Sequence, residues 1–162
     1  MITVTCAVIR NDENEILVVQ RGEATDHPFK WEFPGGKLAQ DENEEECIIR
    51  EIDEELSMEI VICAKLPVVN HDYGHKKIRL VPFICDTLDD IPFLSEHIAY
   101  RWVEVKDLMT IDFSEADVFV AQSYLDKKQS EGKVEVPADN TSDDESLVDK
   151  DLQAIVNNMM SM

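Results

Sequence analysis

The sequence predicts an α/β fold, and three observations carry that expectation. Runs rich in β-branched and apolar residues recur at 2–10, 15–21, 59–70, 77–86 and 98–104. Two further segments, 43–56 and 115–128, place their apolar residues at helical spacing instead. Strands and helices are therefore interspersed along the chain, which argues against an all-β or an all-α architecture. A chain of 162 residues is also long enough for one domain with its own core, plus an appendage.

Each element has a local reason. Residues 2–10 (ITVTCAVIR) form the first expected strand. Asn11, Asp12, Glu13 and Asn14 make a turn cluster, and 15–21 (EILVVQR) returns as the second strand of a hairpin. Residues 22–30 read as a polar loop. In the run Trp31-Glu32-Phe33-Pro34-Gly35-Gly36-Lys37 the proline and paired glycines break any regular element. Residues 43–56 form the first helix. Residues 59–70 read as one strand, 70–74 as a turn and 77–86 as the returning strand. Pro82 has no N–H for a ladder, so that strand is expected at an edge or with a bulge. Residues 98–104 make a further strand, and 115–128 a second helix with Ser114 as its N-cap.

After Gln129 the composition changes. Gly132, Pro137, Asn140 and Ser142 mark 130–142 as a linker after a domain spanning 1–129. Within 143–162, Leu147, Val148, Leu152, Ile155, Val156, Met159 and Met160 fall on one stripe. A C-terminal amphipathic helix is expected there, capped by Ser142 and Glu145. The segment would dock on its own domain, join two copies as a homodimer or remain a loose acidic tag, and its apolar stripe favours the first two.

The net charge is −20, from 15 basic and 35 acidic residues. A surface this negative repels nucleic-acid polymers and anionic lipid. Residues 41–55 hold nine acids and one base, and 130–162 hold eight acids and two bases. The two segments thus account for most of the excess. Cys6, Cys47, Cys63 and Cys85 form no CxxC pair and lie in or beside apolar runs, so four buried, reduced thiols are expected. The N-terminus lacks the pattern of a signal peptide, and no run approaches a membrane span. The expectation is a cytoplasmic protein that does not engage membranes.

The acidic helix invites a chemical reading. Glu51, Glu54 and Glu55 stand at i, i+3 and i+4, so they share one face. Ile48, Ile49, Ile52 and Leu56 occupy an adjacent face that would pack on the sheet. Crowded carboxylates repel one another unless a cation neutralises them, and hard oxygen ligands suit Mg²⁺, Mn²⁺ or Ca²⁺. Arg50 can pair with Glu54 one turn on. Gly35 and Gly36 would let a backbone carbonyl approach a bound ion. From charge alone, a solvated helix face is the competing account.

The spacing decides between them. Gly36, five residues, Glu42, seven residues, Arg50-Glu51-Ile52, one residue, Glu54-Glu55, one residue, then Ser57-Met58 resembles the Nudix box. Every charged position of that pattern matches. Ser57 stands where glycine is usual, at the helix exit and away from the acids. The run from Trp31 to Lys37, and Glu96-His97 followed by Trp102, resemble the MutT subgroup, including its CTP-hydrolysing members. The likeness covers residues 1 to about 128.

That resemblance implies an α/β/α sandwich around a mixed sheet. It implies Mg²⁺-dependent hydrolysis of (deoxy)nucleoside triphosphates, some of them oxidised or modified, to monophosphate and pyrophosphate. Mn²⁺ is the alternative ion. By the same resemblance Glu51, Glu54, Glu55 and Glu96 would bind metal beside the Gly36 carbonyl, with Arg50 orienting the acids. Either Glu51 or Glu96 would act as the base. Arg21 and Lys37 would contact phosphates, and Lys76 would face the substrate. Ile2, Val4 and Phe33 would line the base pocket, with Asp117 where MutT proteins read an oxidised guanine through Asn. Read without the family, Arg21 is a strand-end ion pair, Lys76 protects a hairpin edge, and Asp117 favours a helix dipole. Two other functions stay open: hydrolysis of dinucleoside polyphosphates or nucleotide sugars, and a non-catalytic nucleotide-binding module.

Overall fold

The computed structural model describes residues 1–132. The linker and C-terminal helix expected at 130–142 and 143–162 therefore lie, beyond residue 132, outside the described residues. Residues 1–127 make one compact unit; of the second, 128–162, the described part is the last turn of a helix. The strands are β1 (Ile2–Arg10), β2 (Ile16–Gln20), β3 (Trp31–Glu32), β4 (Gly35–Lys37), β5 (Val61–Lys65), β6 (Val69–Asp72), β7 (Lys77–Asp86) and β8 (Ala99–Val103). The helices are α1 (Glu44–Leu56) and α2 (Glu115–Gly132), with a 3₁₀ helix at Val105–Thr110.

The sheet is mixed. β1 runs parallel to β7 over nine paired positions, from Ile2 opposite Ile78 to Arg10 opposite Asp86. The remaining pairs, β1–β2, β1–β4, β2–β3, β2–β8, β5–β7 and β6–β7, are antiparallel. Alternation along the strands sends side chains to two cores, as a pleated strand requires. Cys6, Val8, Ile16, Val18, Leu80 and Ile84 face α2 with its Ala116, Val120, Ala121 and Tyr124. Ala7, Ile9, Leu17, Val19, Val81, Phe83 and Cys85 face α1 with its Ile48, Ile52 and Leu56. The result is the expected α/β/α sandwich.

Local chemistry differs from the sequence reading in several places. The single strand expected over 59–70 is two strands, β5 and β6, broken at Leu66-Pro67-Val68. β7 is interior rather than an edge, because β1 flanks one side and β5 and β6 flank the other. Pro82 is accommodated there because it faces the gap between β5 and β6, where its carbonyl accepts from the Leu66 amide at 2.9 Å. The bulge lies in β5, between Ile62 and Ala64. Ile49 is 48% exposed, so the buried stripe of α1 is narrower than expected. Cys63 is exposed while Cys6, Cys47 and Cys85 are buried; all four thiols are free.

Both helix starts are capped, by different means. Asn43 accepts from the Glu46 amide, and the Glu46 side chain accepts from the Asn43 amide, so α1 opens with a capping box. At α2 the Ser114 hydroxyl makes no cap. The Tyr73 hydroxyl accepts from the Ala116 amide at 3.0 Å instead. α1 ends at Ser57, whose φ of 52° and ψ of 43° are left-handed. That explains the family's preference for glycine at this position. Among the described residues, no helix is long and apolar enough to cross a membrane.

Candidate active site

Gly35 and Gly36 fix the site because two close approaches leave no room for a Cβ. A Cβ at Gly35 would strike the Thr5 carbonyl and the Cys6 backbone, so only glycine lets β4 lie against β1. A Cβ at Gly36 would strike the Glu51 carboxylate. β4 therefore presses directly on the acidic face of α1. The Gly36 carbonyl receives weak contacts from Thr5 Oγ1 at 3.4 Å and Cys47 Sγ at 3.8 Å.

Arg50 organises the acids. Its Nε and Nη2 donate to Glu42 at 2.8 and 2.6 Å, a two-pronged grip. Its Nη1 donates to Glu51 at 2.9 Å and Glu54 at 3.0 Å, and Nη2 also reaches the Lys37 carbonyl at 3.2 Å. The Arg50 and Ala39 hydrogen bonds lower Glu42 to about 2. Glu55 lies on the buried side of the cluster. Burial, then the carboxylates of Glu51, Glu96 and Glu32, push it up to about 9.

Glu96 arrives on the loop between β7 and β8, which is sewn to the end of α1. The Phe93 amide donates to the Leu56 carbonyl at 2.9 Å; the Ser95 amide and hydroxyl donate to the Glu55 carbonyl at 3.3 and 3.1 Å. Helix-end carbonyls need such partners. Satisfying them here brings Glu96 close to Glu55.

These residues border a cleft of about 390 Å³. Of the residues expected at the site, Arg21, Phe33, Gly36, Lys37 and Lys76 line it, as do Glu55, Glu96 and Asp117. Glu51, Glu54 and Arg50 are not part of its lining. Val4 lines the cleft, whereas Ile2 is 37% exposed and does not. Lys76 is already paired with Asp26 at 3.0 Å, from the loop between β2 and β3. Arg21 grips both oxygens of Glu32, at 3.2 and 3.0 Å.

Sequence reasoning missed Glu32, His97 and Ser114. Glu32 accepts from Arg21 and from His97 Nε2 at 2.9 Å. Burial opposes its charge, but the His97 hydrogen bond and the Arg21 charge outweigh that and hold it below the usual range. Glu32 and His97 stood inside the runs that suggested the family, yet nothing local pairs residues 65 apart in sequence. Asp117 Oδ1 accepts from the Phe33 amide at 2.9 Å. Burial and the nearby Glu32 carboxylate push Asp117 well above the usual carboxylate range.

One feature unites the cleft. Among the described residues, the buried side-chain polar atoms without a hydrogen-bond partner are Arg21 Nε, His27 Nε2, Glu55 Oε2, His97 Nδ1 and Ser114 Oγ. All five residues line this one cleft. Buried polar groups ordinarily find partners, and exceptions concentrate where a ligand supplies them.

The NUDIX domain model matches residues 1–123. The chain belongs to the Nudix family. It is 33% identical over 81 residues to the 8-oxo-dGTP diphosphatase of Proteus vulgaris, which spans 50% of this chain and 72% of that protein. It is 29% identical over 129 residues to the CTP pyrophosphohydrolase of Escherichia coli K12, covering 77% of this chain and 92% of the relative. The MutT protein of Methanosarcina mazei Go1 superposes with a TM-score of 0.70 at 30% identity, over 79% of this chain and 94% of that one. This Nudix protein is thus a MutT-like hydrolase.

The donor set fits a divalent cation. Glu55 Oε2 is buried without a partner, its neighbours are hard carboxylate oxygens, and the Gly36 backbone lies against the Glu51 carboxylate with no room for a side chain. Among the described residues, no three His, Cys, Asp or Glu side chains already form a metal-ligand group. Arg50 engages Glu51 and Glu54 in the free chain.

Proposed function

We propose that this Nudix protein is a Mg²⁺-dependent pyrophosphohydrolase of nucleoside triphosphates, releasing monophosphate and pyrophosphate. The substrate is an oxidised purine nucleotide such as 8-oxo-dGTP, or a cytidine triphosphate. The observation that carries this reading is the single cleft holding all five unpartnered buried polar atoms, lined by the acids Glu55 and Glu96 and by apolar Val4, Phe33, Ile78 and Leu80. The names of the relatives support the substrate class.

Glu51, Glu54, Glu55 and Glu96, with the Gly36 carbonyl, hold the ion, for which Mn²⁺ is the alternative. A bound divalent ion supplies neutralisation of the phosphoryl oxygens and a lowered pKa for the attacking water. Glu51 or Glu96 accepts the water proton at a carboxylate oxygen. Arg50 keeps the acids from splaying through its bonds to Glu42, Glu51 and Glu54. Lys37, which has no carboxylate in ion-pair range among the described residues, is free to meet a phosphate. Arg21 keeps its Nε donor unspent beside it. Phe33, packed on Phe113 with ring centroids 4.9 Å apart, offers a flat apolar wall to a base, with Asp117 at its edge.

Pyrophosphate release from a panel of nucleoside triphosphates tests this. Activity should require Mg²⁺ and fall at least a hundredfold in Glu54→Gln, on the order expected for removing a metal-assisting acid. Full activity in EDTA would refute the proposal.

A further inference from the structure

We propose that Ser114 is a specificity-determining residue whose hydroxyl hydrogen-bonds the edge of the nucleobase beside Asp117. The inference rests on the nucleotide-hydrolase reading above and goes beyond it by assigning a group that the family's box does not contain.

The first observation is a hydroxyl with nothing to do. Ser114 is only 5% exposed, and its Oγ has no partner among the described residues. The role that the sequence suggests for it, capping α2, is performed by the Tyr73 hydroxyl, which accepts from the Ala116 amide. The Ser114 backbone, in contrast, is fully engaged. Its amide donates to the Trp31 carbonyl at 2.9 Å, and its carbonyl accepts from the Asp117 and Val118 amides at 3.0 and 3.3 Å. The residue is thus held firmly while its one free polar group stays unsatisfied. A buried, unsatisfied hydroxyl lowers the stability of the free protein, so a ligand that completes it is favoured.

The second observation is where that group stands. Ser114 and Asp117 are three residues apart at the start of α2, and so lie on one face. Both line the cleft. Asp117 accepts from the Phe33 amide through Oδ1, which fixes its carboxyl in the cleft wall. Burial, and then the Glu32 carboxylate, push the Asp117 carboxyl well above the usual carboxylate range, which favours the form that can donate as well as accept. The same cleft is lined by the apolar side chains of Val4, Phe33, Ile78 and Leu80. Two adjacent polar groups on an apolar slot suit the edge of a flat heterocycle, where donor and acceptor atoms sit side by side. They suit a phosphate poorly, since a carboxyl and a hydroxyl bring no positive charge. Arg21, whose charge reaches Asp117, holds both oxygens of Glu32 through Nη1.

The test compares wild type with Ser114→Ala on dATP, dGTP, dCTP, dTTP, CTP and 8-oxo-dGTP with Mg²⁺, and on inorganic tripolyphosphate as a base-free probe. For the preferred nucleotide, kcat/KM should fall about tenfold, chiefly through KM, which is the scale of one neutral hydrogen bond. The ratio between preferred and poorer bases should shrink by the same factor, and any tripolyphosphate cleavage should not change. The melting temperature should be equal to or above that of wild type, because no bond is lost in the free protein. Unchanged base ratios, an equal loss on every nucleotide, or a lower melting temperature would each overturn the assignment. Failure of the wild type to turn over any nucleotide would instead refute the function on which it rests.

Discussion

Replacing Ser57 with glycine should stabilise the protein. Ser57 ends α1 with φ 52° and ψ 43°, and its amide donates to the Asp53 carbonyl at 2.9 Å. An L-residue in this conformation carries a steric cost of about 1–2 kcal/mol. Glycine removes that cost but gives the unfolded chain extra freedom worth about 0.4–1 kcal/mol. The Asp53 bond is made by the backbone and survives the substitution. The serine side chain is exposed and lines none of the cleft, so no buried contact is lost. The net gain is about 1 kcal/mol, equivalent to a rise of about 2–4 °C in melting temperature for a chain of this length. Scanning calorimetry of the two proteins without added ion gives the shift directly, and pyrophosphate release should be unchanged. A lower melting temperature in Ser57→Gly would refute the claim that this turn is strained.

Two further substitutions follow from the charge network. Glu42 is held at about 2 by Arg50 and the Ala39 amide, below its ordinary value of 4.5. A lowered acid contributes stability that is present above the ordinary value and lost as pH falls through the folded one. The stability gap between wild type and Glu42→Gln, measured by denaturant titration, should therefore close between pH 4.5 and about 2; a gap that stays constant contradicts this. Asp26 holds Lys76 in a 3.0 Å ion pair, and on the proposed reading it competes there with substrate. Asp26→Asn should lower KM by about two- to fivefold at low salt, as expected of a screened surface pair, and the difference should vanish at high salt. A higher KM would show that the pair holds the cleft in shape instead.

What the sequence made legible was whatever depends on spacing along one element. The acids of α1, Gly36 and Arg50 could be placed because a helix turns through a fixed angle and the box fixes offsets. Hydrogen-bond satisfaction is different, since it depends on what the fold brings near. Ser114 looks like an N-cap in sequence, and only the approach of Tyr73, 43 residues away from Ala116, takes that task from it. Glu32 reads as one acid among 35, and becomes a hub because β3 delivers it between Arg21 and His97. Taken alone, Pro82 signals only a missing N–H. The break at Leu66-Pro67-Val68 that lets it sit inside the sheet carries its own proline, a signal present in the sequence but overridden by the surrounding β-branched run.

In the proposed reaction the cleft directs water at a nucleoside triphosphate so that two phosphates leave together. Product analysis of the full chain with CTP and 8-oxo-dGTP in Mg²⁺ tests it most directly. Monophosphate and pyrophosphate should form in equal amounts, and neither product once EDTA removes the ion. Diphosphate with orthophosphate, or product formation that persists in EDTA, would contradict it.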